Sequence, residues 1–172
     1  MSSDIIDDVI LFWKPDEKPY GILSNYYPIN IIIDNKQWNS TESYYQSEKF
    51  TDEWYKEQIR LTKTPHQSKM LGTMSVSHYS WADNVNKIIN IAIEKNIKIR
   101  SDWDDIKDEI MEKALNIKFK HMYPQKVLLL TKNKPICENS PYDYYWGIGK
   151  NGTGKNKLGK LLMNIRSEIN DV

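Results

Sequence analysis

The sequence predicts a mainly α-helical fold, a single compact helical domain spanning residues 1–172 with a small N-terminal β element. Three observations carry this expectation. Apolar residues recur at i, i+3, i+4 and i+7 in the stretches that begin near 84 and 158, and at i, i+4, i+8 and i+11 from Ile106, the period of a helix with one buried face. Strand character is concentrated near the N-terminus, in short runs around Asp34-Asn35. No repeat, linker or shift of composition divides the 172 residues, a length that one domain with a real core normally has.

Taken in order, Val9–Trp13 reads as a short strand followed by the turn-rich KPDEKPYG. GILSNYYP (21–28) is a loop of small, amide and aromatic residues closed by Pro28, and its Asn25 is a candidate binding residue. Ile29–Ile33 and Lys36–Trp38 form a hairpin turned at Asp34-Asn35, a pair that tolerates the left-handed conformation. Asn39, Ser40 or Thr41 caps the next helix, with Asn39 and Glu42 at capping-box spacing. Two helices follow over 52–62 and 65–72, the second opened by Thr64-Pro65 and stopped by Gly72. Residues 73–82 are irregular. Asn84–Ile99 is an Ile-rich helix, and RSDWDDIK starts a long one carrying Ile106, Ile110, Ala114 and Ile117, broken by His121-Met-Tyr-Pro124. Gln125–Thr131 is a short apolar helix or strand. The final helix carries Leu158, Leu161, Leu162, Ile165 and Ile169.

Composition narrows the function classes. The net charge is +1 with acids and bases interleaved, so there is no broad basic face for nucleic acid. A single cysteine, Cys137, excludes an internal disulfide framework and points to a reducing, cytoplasmic setting. No apolar run approaches the length of a membrane span, and the acidic start MSSDIIDD does not read as a signal peptide. His66, His78 and His121 lie far apart with no i,i+4 partner, so no metal site is expected, and no cofactor.

Two stretches concentrate chemistry. Between Glu138 and Gly159 stand five of the seven glycines, one Trp, three Tyr and two carboxylates, Glu138 and Asp143. Glycines this dense let the backbone approach a ligand, aromatics offer stacking faces, and carboxylates offer acid–base chemistry. The loop also feeds a helix N-terminus, where unpaired N–H groups favour an anion. Gly147, Gly149 and Gly152 fit a dinucleotide fingerprint, and Gly149, Gly154 and Lys155 fit a P-loop. Neither is adopted: Asn156 stands where a P-loop needs a hydroxyl, and no βαβ unit surrounds the glycines. A ligand loop is favoured over a turn that merely caps the last helix. The second stretch is TESYYQSEKF. At about 100° per residue, Glu42, Tyr45, Gln46 and Lys49 share one face, as a solvated Glu–Lys pair or as a ligand-facing wall. Carboxylates, aromatics and a lysine suit cleavage at an anomeric carbon, where an oxocarbenium-like transition state wants negative charge nearby. A lysine of lowered pKa could also attack C1 as an amine.

Four ordered blocks then carry a resemblance: LSNYYPI; WNSTESYYQSEKF; DWDDIK followed by I-M-x-x-A-L-x-x-K-F; and E-N-S-P-x-D-x-x-W-G-x-G-x-x-G-x-G-x-N-x-L-G. From about Ile10 to Arg166 the chain resembles the NADAR (YbiA-like) family, single, mostly helical domains that are N-glycosidases linked to NAD and ADP-ribose. The resemblance implies a substrate that is a phosphorylated N-riboside, such as an early riboflavin-pathway intermediate releasing ribose 5-phosphate, or ADP-ribose on guanine, free or in nucleic acid. It implies Glu42, Lys49 and Asp143 as catalytic residues. Asn25, Tyr45, Gln46, Trp103, Trp146, Gly147, Gly152 and Asn156 are implied binding residues, with the aromatics stacking the base and the 152–157 backbone holding phosphate. The chain departs from the family at Ser43, where members often carry His, and at Ile148, where some carry Asp. Residues 73–99 run longer than in short bacterial members. Two rival readings stand beside the enzyme, a module that binds ADP-ribose or a nucleotide without cleaving it, and a P-loop nucleotidase.

Overall fold

A computed structural model describes residues 9–170; the acidic start MSSDIIDD lies outside the described residues. The fold is mainly α-helical, with seven α-helices and four strands of three residues each among the described residues. These residues fall into two units, one of 28–117 and one of the residues up to 27 with those from 118 onward. None of the described helices is long and apolar enough to cross a membrane.

The 28–117 unit begins with the antiparallel hairpin β1 (Ile31–Ile33) and β2 (Lys36–Trp38), in register Ile31–Trp38 to Ile33–Lys36. Its turn residues Asp34 and Asn35 take φ 52° and 60°, as the sequence requires. The hairpin buries Ile31, Ile33 and Trp38 with Tyr44 and Ala114, and the Trp38 and Tyr44 rings meet edge to face at 5.3 Å. Helix α1 (Thr41–Ser47) is capped by Ser40, whose side chain accepts from the Ser43 N–H at 3.1 Å. Asn39 does not cap it; its amide donates to the Thr62 carbonyl.

Helices α2 (Glu53–Arg60), α3 (Pro65–Thr73) and α4 (Asp83–Glu94) enclose the second core, built on Phe50, Tyr55, Ile59, Met70, Leu71, Val85, Ile89 and Ala92. Thr64 caps α3 as expected, accepting from the Gln67 N–H. Gly72, expected to end α3, lies inside it, and Met74 in the left-handed conformation is the stop. Helix α4 ends at Glu94, earlier than the sequence suggested, with Asn96 at φ 55° turning the chain. Helix α5 (Trp103–Lys118) buries Trp103, Met111, Ala114, Leu115 and Lys118, whereas Ile106, Ile110 and Ile117 are only half-buried.

In the other unit, β3 (Ile10–Phe12) runs parallel to β4 (Ile136–Glu138), with Ile10 opposite Ile136. The β structure is therefore not confined to the N-terminus, because β4 comes from the far end of the chain. Parallel pairing needs a long crossover, and a three-residue strand leaves little periodicity to read. Helix α6 (Met122–Leu130) settles the helix-or-strand question for 125–131. The break expected at 121–124 falls between α5 and α6: His121 is the N-cap of α6 and Pro124 sits in its first turn, where a missing N–H costs little. Helix α7 (Lys157–Asn170) packs on β4 and buries Leu158, Leu162 and Ile165.

Candidate active site

The capping by Ser40 puts Glu42 in the first turn of α1, where the helix dipole favours a carboxylate. Glu42 is only 5% exposed, and its Oε1 accepts from Gln46 Nε2 at 2.7 Å. Gln46 is fully buried against α3: a methyl group at Gly72 would lie 1.9 Å from Gln46 Oε1 and 2.7 Å from its Cβ. Gly72 is thus the point where α1 and α3 come closest, which is why it sits inside a helix. Gln46 Oε1 has no hydrogen-bond partner and no solvent. A buried, unsatisfied carbonyl normally costs about 1–3 kcal/mol.

Beyond the last turn of α1, Lys49 is half-buried, its Nζ 5.7 Å from the Tyr45 ring centroid and 3.4 Å from the Gly72 carbonyl. Burial, and after it the charge of Lys69, lowers the Lys49 ammonium to about 8 against the opposing charge of Glu42. Glu42 and Lys49 make no ion pair within 4 Å, so the solvated Glu–Lys pair is not what this face holds. Tyr45 packs on Trp103, ring centroids 4.9 Å apart. The four residues of the expected wall are thus joined, Glu42 to Gln46 and Lys49 to Tyr45, with Trp103 behind them. Lys69, one turn before Gly72 on α3, was not legible as a site residue; only the α1–α3 contact brings it into range.

In the other unit, Asp143 organises the aromatic loop. Its Oδ1 accepts from the Tyr145 and Trp146 N–H groups at 2.8 and 2.7 Å. Trp146 is 9% exposed and meets Tyr145 edge to face, and Lys155 lies 5.1 Å above the Tyr145 ring. Gly147 is pressed against the Glu138 carbonyl, where a Cβ would come within 2.8 Å. Gly152 sits exposed at φ 74° with open space around it.

The 152–157 backbone, expected to hold phosphate, is hydrogen-bonded within the loop. The N–H groups of Gly152, Thr153, Gly154, Lys155, Asn156 and Lys157 all donate within the loop, the last four to Ile148, Tyr144, Gly147 and Tyr145 carbonyls. Leu158 N–H likewise donates to Trp146, so the start of α7 is capped by the loop's own carbonyls. Asn156, at φ 49°, donates from Nδ2 to the Ile136 carbonyl and accepts at Oδ1 from the Glu138 N–H. Its amide ties the loop to β4. Asn25 is buried in the Ser24–Tyr27 turn of the same unit.

Comparison with known proteins gives this geometry a context. The model of the NADAR domain matches residues 11–170. N-glycosidase YbiA of Shigella sonnei is 32% identical over 166 residues, 96% of this chain and 91% of that protein. A riboflavin biosynthesis protein of Vibrio vulnificus, VVA0006, is 34% identical over 170 residues, 98% of this chain but 41% of that longer protein. The NMR structure of YbiA from E. coli superposes with a TM-score of 0.76 at 32% identity, covering 96% of this chain and 86% of that one. Matched over nearly its whole length in both sequence and fold, the chain belongs to the NADAR domain family.

Proposed function

We propose that this chain is an N-glycosidase acting as a single NADAR domain on a ribosyl-phosphate N-glycoside. The substrate is an early riboflavin-pathway intermediate that yields ribose 5-phosphate, or ADP-ribose attached to guanine, as a small molecule or in nucleic acid. The observation that carries this reading is an amine lowered to about 8, Lys49, just past the end of the helix that carries a buried carboxylate, Glu42. The names of the relatives support the reaction class.

In this reading Lys49 Nζ, reachable because it is only half-buried, adds to C1 as the C1–N bond breaks and the base departs with the first amine proton. The second amine proton passes to the ring oxygen as the ring opens to an imine, and water adds to release the sugar and restore the amine. Glu42 offsets the positive charge that develops at C1 and takes a proton from the attacking water. Tyr45 and Trp103 offer the base stacking faces in the 28–117 unit, and Trp146 is the stacking ring of the other unit. Asn25 and Gln46 recognise polar edges, and Gly147 lets backbone come close. With the loop amides engaged, phosphate recognition in that unit falls to side-chain cations, Lys155 among them. Asp143 acts through the loop it holds, and Gly152 and Asn156 shape that loop. The mechanism uses no cofactor, and a reducing, cytoplasmic setting suits the lone Cys137 thiol.

The test is mass spectrometry of candidate N-ribosides after incubation with the protein. Free base with ribose 5-phosphate or ADP-ribose supports the enzyme, whereas intact, tightly bound ligand supports the binding module. Borohydride added during turnover traps a sugar adduct on Lys49 and none in Lys49→Arg, which keeps charge but forms no imine. A half-active arginine variant with no adduct would return Lys49 to a purely electrostatic role.

A further inference from the structure

Lys118 has no place in the chemistry above, yet it is the most deeply buried lysine of the chain. It is 0% exposed, and its Nζ donates to the Ser24 carbonyl at 2.8 Å, across 94 residues of sequence. No carboxylate pairs with it among the described residues; its other close neighbour is the Phe119 ring, 5.5 Å away. Burial alone lowers its ammonium to about 7. A methionine would fill similar space without the cost of desolvating an amine, so stability does not account for a lysine here.

The carbonyl it holds is the first of a tight turn. Ser24 O also accepts from the Tyr27 N–H at 3.1 Å, and Ser24 Oγ accepts from the Tyr26 N–H at 3.3 Å. Ser24 itself ends the preceding 3-10 turn, Tyr20–Leu23, and departs in extended conformation. Asn25 is the second residue of this turn and is 7% exposed. Fixing the Ser24–Asn25 peptide plane therefore fixes the direction in which Asn25 leaves the backbone.

We propose that Lys118 is a positioning residue, clamping the Ser24–Tyr27 turn from the interior so that Asn25 is presented to the substrate in one conformation. The clamp stands on the geometry of this unit alone, and its link to substrate rests on the binding role given to Asn25 above. It also separates the two lysines of lowered pKa: Lys49 can reach a ligand, and Lys118, sealed from solvent, acts only through the turn.

The experiment compares wild type with Lys118→Met. Amide hydrogen exchange at Tyr26 and Tyr27 is expected to accelerate tenfold or more, with exchange elsewhere and the melting temperature unchanged or the latter raised. Equal exchange at Tyr26 and Tyr27 overturns the clamp, as does a general loss of protection, which would make Lys118 a structural residue. If the methionine variant does not fold, Lys118→Gln, which keeps a donor of shorter reach, is read by the same criteria. With a phosphorylated N-riboside that the wild type cleaves, Lys118→Met is expected to raise KM about tenfold with kcat within twofold, matching Asn25→Ala. An unchanged KM overturns the link to Asn25. A wild type that cleaves no N-riboside refutes the proposed function instead, and the exchange result then decides the clamp by itself.

Discussion

Replacing Gly72 by alanine tests whether the α1–α3 contact holds the candidate site together. In an ordinary helix this change stabilises by about 1 kcal/mol, because glycine loses more backbone entropy on folding. Here the sign should reverse. The new Cβ would lie 1.9 Å from Gln46 Oε1 and 2.7 Å from Gln46 Cβ and Cδ, where ordinary contact begins at 3.4 Å. The amide tip can swing away, but Gln46 Cβ is fixed to the α1 backbone, so the helices must part by several tenths of an ångström. Overpacking of this kind costs about 1–3 kcal/mol, which leaves a net loss of up to about 2 kcal/mol after the helix gain. For a chain of this size that is a fall in melting temperature of up to about 8 °C by circular dichroism. Turnover should drop as well, since moving Gln46 removes the donor that holds Glu42 Oε1. A double-mutant cycle with Gln46→Gly, which removes the Cβ itself, isolates the cause. The cost of Gly72→Ala should shrink by about 1 kcal/mol once the Gln46 Cβ is gone. A melting temperature above wild type, or additivity in the cycle, would refute the reasoning.

Three further outcomes are expected. Glu42→Gln keeps the shape and an acceptor for Gln46, so ligand affinity should persist while turnover falls by about 10²–10³; wild-type turnover would remove Glu42 from the mechanism. The folded-state pKa values of Lys118 and Lys49, about 7 and about 8, lie below the ordinary lysine value of 10.5. The unfolded chain therefore binds more protons, and stability should rise with pH from about 7 to 10.5. Lys118→Met should remove a slope of up to about 1.4 kcal/mol per pH unit in urea unfolding, and an unchanged slope would contradict its burial as a titrating amine. Asn156→Ala deletes the bonds to Ile136 and Glu138 and leaves a side chain less suited to φ 49°, so we expect a loss of about 2–3 kcal/mol in thermal unfolding with little effect on the affinity of folded protein. A large affinity loss at wild-type stability would make Asn156 a ligand contact.

Local chemistry was enough to determine much of this protein. The hairpin at Asp34-Asn35, the cap and proline that open α3, and the apolar face of α7 are decided within one turn or one helix. Side-chain conformational preference acts at that range. The shared face of Glu42, Tyr45 and Gln46 was legible for the same reason, since helical geometry places i, i+3 and i+4 together, whereas Lys49, expected on the same helix, lies past its end at Ser47. What the sequence could not decide depends on residues distant in the chain. Gly72 reads as a helix stop until Gln46 is seen to press against it, and β4 is invisible until β3 offers a parallel partner. The glycine-rich loop looked like a phosphate cradle because glycine frees the backbone, but only the folded loop shows its amides bound to its own carbonyls. Lys69 and Lys118 are ordinary charges by composition. Lys118 did leave one trace, standing on the apolar stripe of Met111, Ala114 and Leu115, but burial is a property of what packs around a residue. Only tertiary structure removes the water that would keep its amine charged.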